Sequence, residues 1–330
     1  MLLEKVRPER LDKKQDTLHI EDIAYLKEHF PNLITVGCVA CGSLDYRQTF
    51  TKMEYAYNRC KVCNTLFLSP RLSKEGLAYF FSNAKSMKFR ATDLYTTVAK
   101  ERKKNIFVPR WRIIKKALDR LSVSFPIPNV LEVGASVGLF ASVVLEKKHV
   151  INYDVIEPLG CVAEPLGKIG IREIYVGVED CFVGKIPPIY NVIFCNGVLE
   201  HPFSPVEFVS NLKTFLKPDG LLVICSPGGS GIDSLILKGN QPNAVPPHMQ
   251  NFISNEGWRY LSQRCKMKLV NFQSIGQLDM DIIYSQLVFQ NSEYHTLLSN
   301  GVLRSDIQKT LQKYSLTGFY LTILQNSIGS

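Results

Sequence analysis

The chain has 330 residues, is 45% hydrophobic and 21% charged, and carries 39 Lys and Arg against 30 Asp and Glu, a formal charge of +9. That balance excludes a disordered or fibrous chain and suits one large domain with a small one. No apolar run approaches the length of a membrane span, and the charged stretch Met1 to Lys14 lacks the apolar core of a secretory signal, so a cytosolic protein is expected.

Residues 1–33 read as a polar lead-in with one short helix, Ile20–His29. Residues 34–70 hold two Cys-x-x-Cys pairs, Cys38/Cys41 and Cys60/Cys63, with 18 residues between them. Each pair bends the chain into a knuckle that presents two thiolates, and two knuckles complete a closed tetrahedral zinc site, structural because no ligand position stays open. Tyr46 to Tyr57 alternates as a small hairpin would. The remaining cysteines, Cys161, Cys181, Cys195, Cys225 and Cys265, lie singly in apolar stretches and are expected to be buried thiols.

Residues 71–125 form a connector: a helical stretch from Ser73 to Phe81, a polar region Ser82–Thr97, and a helix from about Ala99 to Leu121. Its basic clusters, Lys100–Lys104 and Arg110–Lys116, read first as solvated helix faces, and otherwise as attraction for RNA or a sugar nucleotide.

From residue 126 to 290 the texture is α/β. Strands are expected at Asn129–Val133, Val150–Ile156, Ile174–Val178, Tyr190–Cys195 and Leu221–Cys225, with helices at Gly138–Lys147, Cys161–Ile169 and Val206–Leu216. Such alternation predicts a parallel sheet covered on both faces. Two later runs, Leu269–Ile275 and Ile282–Phe289, are expected to pair as antiparallel strands, and residues 291–330 to be helical and amphipathic.

The central motif is Val130-Leu131-Glu132-Val133-Gly134-Ala135-Ser136-Val137-Gly138, a buried strand entering a glycine turn and a helix. It lacks the Gly-x-Gly-x-x-Gly of a nicotinamide dinucleotide site. It fits Gly-x-Ser-x-Gly formally, with Ser136 as nucleophile and Asp233 and His248 following in order, but no oxyanion-hole glycine run precedes it. The third reading is an adenosylmethionine site. Glu132, Gly134, Ser136 and Gly138, then Glu157 ending the second strand, then Glu179 and Asp180, then Asn196 to His201 with Leu199-Glu200-His201, then Pro218-Asp219-Gly220 follow in order.

In these motifs the stretch from about Asn129 to Phe289 resembles the class I S-adenosylmethionine-dependent methyltransferases. The resemblance implies a Rossmann-like, seven-stranded sheet with helices on both faces. It also implies cofactor contacts at Glu132, Gly134, Ser136, Gly138, Glu157 (the ribose), Glu179 and Asp180 (the adenine region) and Asn196. Asn191 departs from the family, where Asp is common at this place. The order zinc ribbon, connector, methyltransferase domain resembles a bacterial subgroup acting on sugars, surface polysaccharides or secondary metabolites. In that subgroup a His after the fifth strand lines the active site, and Pro246 to Phe252 with His248 matches its place.

His201 and His248 are the candidate bases, with Glu200 contacting cofactor or orienting His201; for His201 a structural role at a helix start stays open. Tyr95 and Arg102 are candidates to cover the cofactor or to pack. Asp279 and Asp281 would bind acceptor hydroxyls or mark a turn. The acceptor expected is a carbohydrate-type small molecule, with RNA as the second reading and a non-enzymatic binder as the third.

Overall fold

The computed structural model describes residues 2–289 and 293–327. Helices Leu2–Val6 and Glu9–His29 lead in, the second extending well N-terminal of the expected Ile20 start. The cysteine-bearing stretch forms β1 (Tyr46–Lys52), β2 (Tyr55–Cys60) and β3 (Leu66–Leu68). The β1–β2 hairpin turns through Met53 and Glu54, both at positive φ, the geometry that matches the twist of paired strands.

The connector is almost wholly helical. Helix Lys74–Asn83, capped by the Ser73 side chain on the Gly76 N–H, leads into segments from Lys85 to Arg120. The expected polar region Ser82–Thr97 is therefore mostly helix. Two wide π turns interrupt it, Arg90–Leu94 and Lys103–Phe107. Pro109 begins the last segment, Val108–Arg120, and its missing N–H explains why the regular hydrogen-bond ladder breaks beside the second wide turn.

The main sheet contains β4 (Ile127–Val133), β5 (Val150–Glu157), β6 (Ile174–Val176), β7 (Tyr190–Asn196) and β8 (Leu216–Pro227), all parallel. After β8 come the two-residue β9 (Asn251–Phe252), β10 (Lys268–Ser274) and β11 (Phe319–Gln325). The seven-stranded order is β10-β11-β8-β7-β4-β5-β6, with β11 antiparallel to both neighbours. The α/β fold with flanking helices is as expected.

Alternation sorts the strands onto two faces. Val130, Val192, Phe194 and Val223 pack with Trp111, Ile114, Leu118 and Phe140. Leu131, Ile193, Cys195 and Leu222 pack with Phe208, Leu212, Trp258, Leu261 and, from the cysteine-bearing stretch, Cys63 and Phe67.

Three further expectations are corrected. Ile282–Phe289 is no strand but part of helix Asp279–Phe289: its apolar run was ambiguous in period, and the buried Met280, Ile283 and Leu287 repeat at helical spacing behind two acidic residues in the first turn. The seventh strand is β11, a buried apolar run inside the stretch expected to be helical; within it only Glu293–Leu298 and Gly301–Lys313 are helices among the described residues. The sheet thus runs beyond residue 290 to Gln325. The cysteine-bearing module does not close on itself: β9 pairs with β3 and completes the small sheet β1-β2-β3-β9. Finally, Cys161 and Cys181 are exposed, whereas Cys195, Cys225 and Cys265 are buried as expected.

Candidate functional site

Strand order reverses between β4 and β7, so their carboxyl ends open a crevice, the place where open α/β sheets bind ligands. The turn after β4 lies there. Gly134 (φ 74°) and Ser136 (φ 51°) are left-handed, and Gly138 (φ 72°) caps helix Leu139–Glu146. A Cβ at Gly134 would stand 2.4 Å from Val198 Cγ2, so this position admits only glycine. At Gly138 a Cβ would meet Ile169 Cδ1 at 2.4 Å.

The crevice is a cleft of two lobes that share Arg90, Tyr95, Gly134, Ser136, Gly197 and His201. The smaller lobe, about 200 Å³, is lined by Glu157, Pro158, Leu159 and Glu179. Glu157 ends β5, where Oε2 accepts the Ser136 N–H at 2.7 Å and Oε1 the Leu159 N–H at 3.0 Å. The carboxylate is thereby fixed at the lobe wall with lone pairs to spare. Burial raises its pKa, and the two backbone donors oppose that rise. Burial pushes Glu179 up to about 7. Asp180 is exposed and lines neither lobe.

The larger lobe, about 310 Å³, receives Glu132, Asn196, Glu200 and His201. Asn196 ends β7 with its Oδ1 buried and unpartnered, an acceptor waiting for a donor. Burial pushes Glu200 up to about 7, a value poised for proton transfer near neutral pH. Burial also lowers His201 to about 4. Its Nδ1 lies 2.9 Å from the His248 carbonyl oxygen, so Nδ1 carries the proton and Nε2 the lone pair.

His248 itself lines neither lobe. It is buried in an aromatic stack, 5.1 Å from Phe80 and 5.3 Å from His19 between ring centroids. Burial holds its pKa well below the usual value, so the ring is neutral. Both ring nitrogens lack partners. The structure therefore assembles no Ser136–His248–Asp233 relay, which would need a hydrogen-bonded histidine. Asp233, whose Oδ2 accepts from Gln241 Nε2 at 2.8 Å, lines the larger lobe, as does Asp279. Asp281 instead pairs with Arg304 at 3.2 Å.

Glu132 supplies a pH signature. Burial raises it from 4.5 to about 8, although Tyr153 Oη donates to it at 2.8 Å. The folded chain then holds a proton that the unfolded chain releases. This contribution is intact below about pH 4.5 and is lost as pH rises to about 8. Glu132→Gln should therefore raise the melting temperature of the ligand-free protein more at pH 8 than at pH 5. Equal changes at both pH values would contradict the assignment.

Sequence reading singled out Tyr95 and Arg102, which line the larger lobe, but missed Arg7, Arg90 and Arg110, which line it too. Arg110 was grouped with a solvated helix face; instead its guanidinium sits 4.5 Å from the Phe319 ring of β11. Only the positions of β11 and of the wide turns reveal this, and neither has a reliable sequence signal.

The four paired cysteines converge, with every Sγ within 4.8 Å of the others. Cys38 and Cys63 are 3.5 Å apart, as are Cys41 and Cys60. Disulfide sulfurs lie at about 2.05 Å. Tetrahedral thiolates at ~2.3 Å from zinc stand ~3.8 Å apart, and the cluster fits that geometry. The module is tied to the main domain at several points. Tyr57 Oη donates to the Met249 carbonyl at 2.7 Å, Ser254 Oγ donates to the Cys63 carbonyl, and Arg264 Nη1 donates to the Ala40 carbonyl at 3.1 Å.

A glycine turn at the switch point with an acidic residue ending the next strand is the arrangement by which doubly wound α/β folds bind nucleotide cofactors. A family model described as a methyltransferase domain matches residues 89–278, and the chain belongs to that family of S-adenosylmethionine-dependent methyltransferases. Among curated proteins it is similar to a tRNA U34 carboxymethyltransferase of Shewanella piezotolerans, 26% identical over 166 residues, covering 48% of each chain. It is also similar to malonyl-[acyl-carrier protein] O-methyltransferase 2 of Ilyobacter polytropus, 30% identical over 132 residues, 39% of this chain and 50% of that one. The chain thus spans about half the length of the curated relatives it matches. Among solved structures, a chain from the complex of the Haloferax volcanii Trm112 methyltransferase activator with a methyltransferase aligns with TM-score 0.51 at 14% identity, over 73% of this chain and 99% of that one. This last likeness concerns the fold alone. No helix of the described residues is long and apolar enough to cross a membrane.

Proposed function

We propose that the protein methylates a small molecule, a sugar or a sugar-bearing intermediate, in the larger lobe of the cleft. One observation carries this reading: the cleft divides at Gly134, Ser136, Gly197 and His201 into a lobe walled by Glu157 and a lobe walled by Glu200. Glu157 takes the ribose hydroxyls, Glu179 faces the adenine, and the glycine turn lets the backbone approach the cofactor closely. S-adenosylmethionine, when bound, supplies an activated methyl group and a neutral leaving group. The protein's share is alignment, exclusion of water and removal of the acceptor's proton. Glu200, near pH 7, suits that last task better than His201, whose lowered pKa favours a neutral, orienting ring. Cys38, Cys41, Cys60 and Cys63 hold a structural zinc ion.

An RNA acceptor is the second reading, favoured by the charge of +9 and the similarity to tRNA-modifying proteins. The tests separate them. S-adenosylhomocysteine should raise the melting temperature and NADH should not; no shift would sink the cofactor assignment. Labelled cofactor with a panel of sugars and sugar nucleotides should yield a methylated product, whereas salt-sensitive retention and methylation of RNA would favour the second reading. Ser136→Ala should leave methyl transfer largely intact, because the Ser136 backbone N–H, not its hydroxyl, meets Glu157.

A further inference from the structure

The larger lobe concentrates four arginines from two parts of the chain, the lead-in and the connector. Arg7 follows the first helix, Arg90 and Arg102 stand on the connector, and Arg110 lies on the segment after Pro109. Only Arg7 has a carboxylate partner among the described residues, Asp12 at 3.2 Å. The Nε atoms of Arg90 and Arg102 are buried with no hydrogen-bond partner. Guanidiniums gathered around one ring make the convergence plain: Arg102 is 4.4 Å and Arg90 5.5 Å from the Tyr95 ring centroid. Burial alone would raise the Tyr95 phenol, yet Arg90, Arg102 and Arg7 outweigh it and the net shift is downward.

Like charges held this close in a half-buried wall repel, and the cost falls when an anion joins them. Glu200 lies near Arg90 and Arg110, but its own pKa of about 7 leaves it a partial counter-charge. Asp233 and Asp279 hydrogen-bond elsewhere, to Gln241, Gln308 and the Gly318 N–H. Glu132 is engaged by Tyr153. One guanidinium suffices for the carboxylate of the cofactor's amino-acid end, which brings its own ammonium. Arg90, which lines both lobes and also meets Tyr95, is placed for that carboxylate, so Arg102 and Arg110 remain without an anionic partner. Arginine forks match phosphoryl oxygens, and a phosphate ester or diphosphate concentrates the charge this count requires.

We propose that Arg102 and Arg110, which line the larger lobe alone, seat a phosphoryl group of the methyl acceptor, so that the substrate is a phosphorylated small molecule. This rests on the assignment of the larger lobe to the acceptor. The experiment titrates inorganic pyrophosphate, and in parallel malonate, into the full-length protein loaded with S-adenosylhomocysteine. Pyrophosphate should bind saturably, and Arg110→Gln should weaken it about tenfold or more while leaving S-adenosylhomocysteine affinity close to wild type. Arg110→Lys, which keeps the charge but loses the fork, should fall between. Absence of saturable binding, or binding that Arg110→Gln and Arg102→Gln leave unchanged in folded protein, overturns the proposal. Malonate binding equally well overturns the phosphoryl assignment in favour of a carboxylate. Arginine-dependent pyrophosphate binding in a protein that never binds S-adenosylhomocysteine would instead overturn the proposed function and leave the anion site standing.

Discussion

Glu157→Ala should abolish the melting-temperature rise that S-adenosylhomocysteine produces. The side chain ends β5 and is held by the Ser136 and Leu159 N–H groups at 2.7 and 3.0 Å. A carboxylate so fixed needs no reorganisation to receive two ribose hydroxyls. Charge-assisted hydrogen bonds contribute ~1.5–3 kcal/mol each, so losing two costs about 3–6 kcal/mol, or roughly 10²- to 10⁴-fold in affinity. The variant also strands the Ser136 N–H, which loosens the glycine turn. Glu157→Gln keeps the shape and one acceptor oxygen, so it should retain more affinity than Ala. Calorimetric titration checks both. Unchanged S-adenosylhomocysteine affinity in Glu157→Ala would remove this residue from the cofactor site.

Removing the zinc ion proposed at the four thiolates should unfold more than the cysteine-bearing module. Structural zinc contributes on the order of 10–16 kcal/mol in small modules at neutral pH, comparable to or larger than the ~5–15 kcal/mol stability of a typical domain. The module does not end at its own strands. β3 pairs with β9, Tyr57 holds the Met249 carbonyl, and Lys52 Nζ donates to the Gln241 carbonyl at 2.9 Å. Met249 and Asn243 line the larger lobe, so the cysteine-bearing module braces one wall of it. Chelation, or Cys63→Ser, should therefore lower the melting temperature sharply and abolish methyl transfer. Metal analysis should find one zinc per chain in the wild type. Full activity in metal-free protein would contradict the bracing role. Hydrogen exchange should show the loss of protection spreading from residues 38–68 to 241–254.

Much of the fold was legible because its signals are local. The strands β4, β5, β7 and β8 are short apolar runs bounded by turn residues, and the glycine turn declares itself by spacing. The cysteine pairs announced a four-thiolate cluster in the same way, and their Sγ atoms do converge within 4.8 Å. Other elements were misread where local pattern is ambiguous. Ile282–Phe289 has the composition of a strand, and only its partners Leu237, Leu298 and Leu311 reveal the helical face. Phe319–Gln325 reads equally as either element until β8 and β10 are seen on its two sides.

The site divides along the same line. Glu132, Gly134, Ser136, Glu157, Glu179, Asn196, Glu200 and His201 border one cleft because each stands in or near the turns at the carboxyl ends of adjacent strands, a relation that chain order and strand periodicity imply. His248, chosen for its loop and its proline neighbours, is packed behind His201 instead of facing the cavity. Arg90 and Arg110 carry no motif, and their inward direction depends on wide helical turns and on β11 closing over the connector. Sequence by itself determined the class of protein, the strand ends that border the cleft and the thiolate cluster, since these rest on spacing along one chain. Only the tertiary structure decided which histidine meets the cleft, which acids are held protonated near neutral pH and where the arginines gather, because burial and charge proximity are set by segments far apart in sequence.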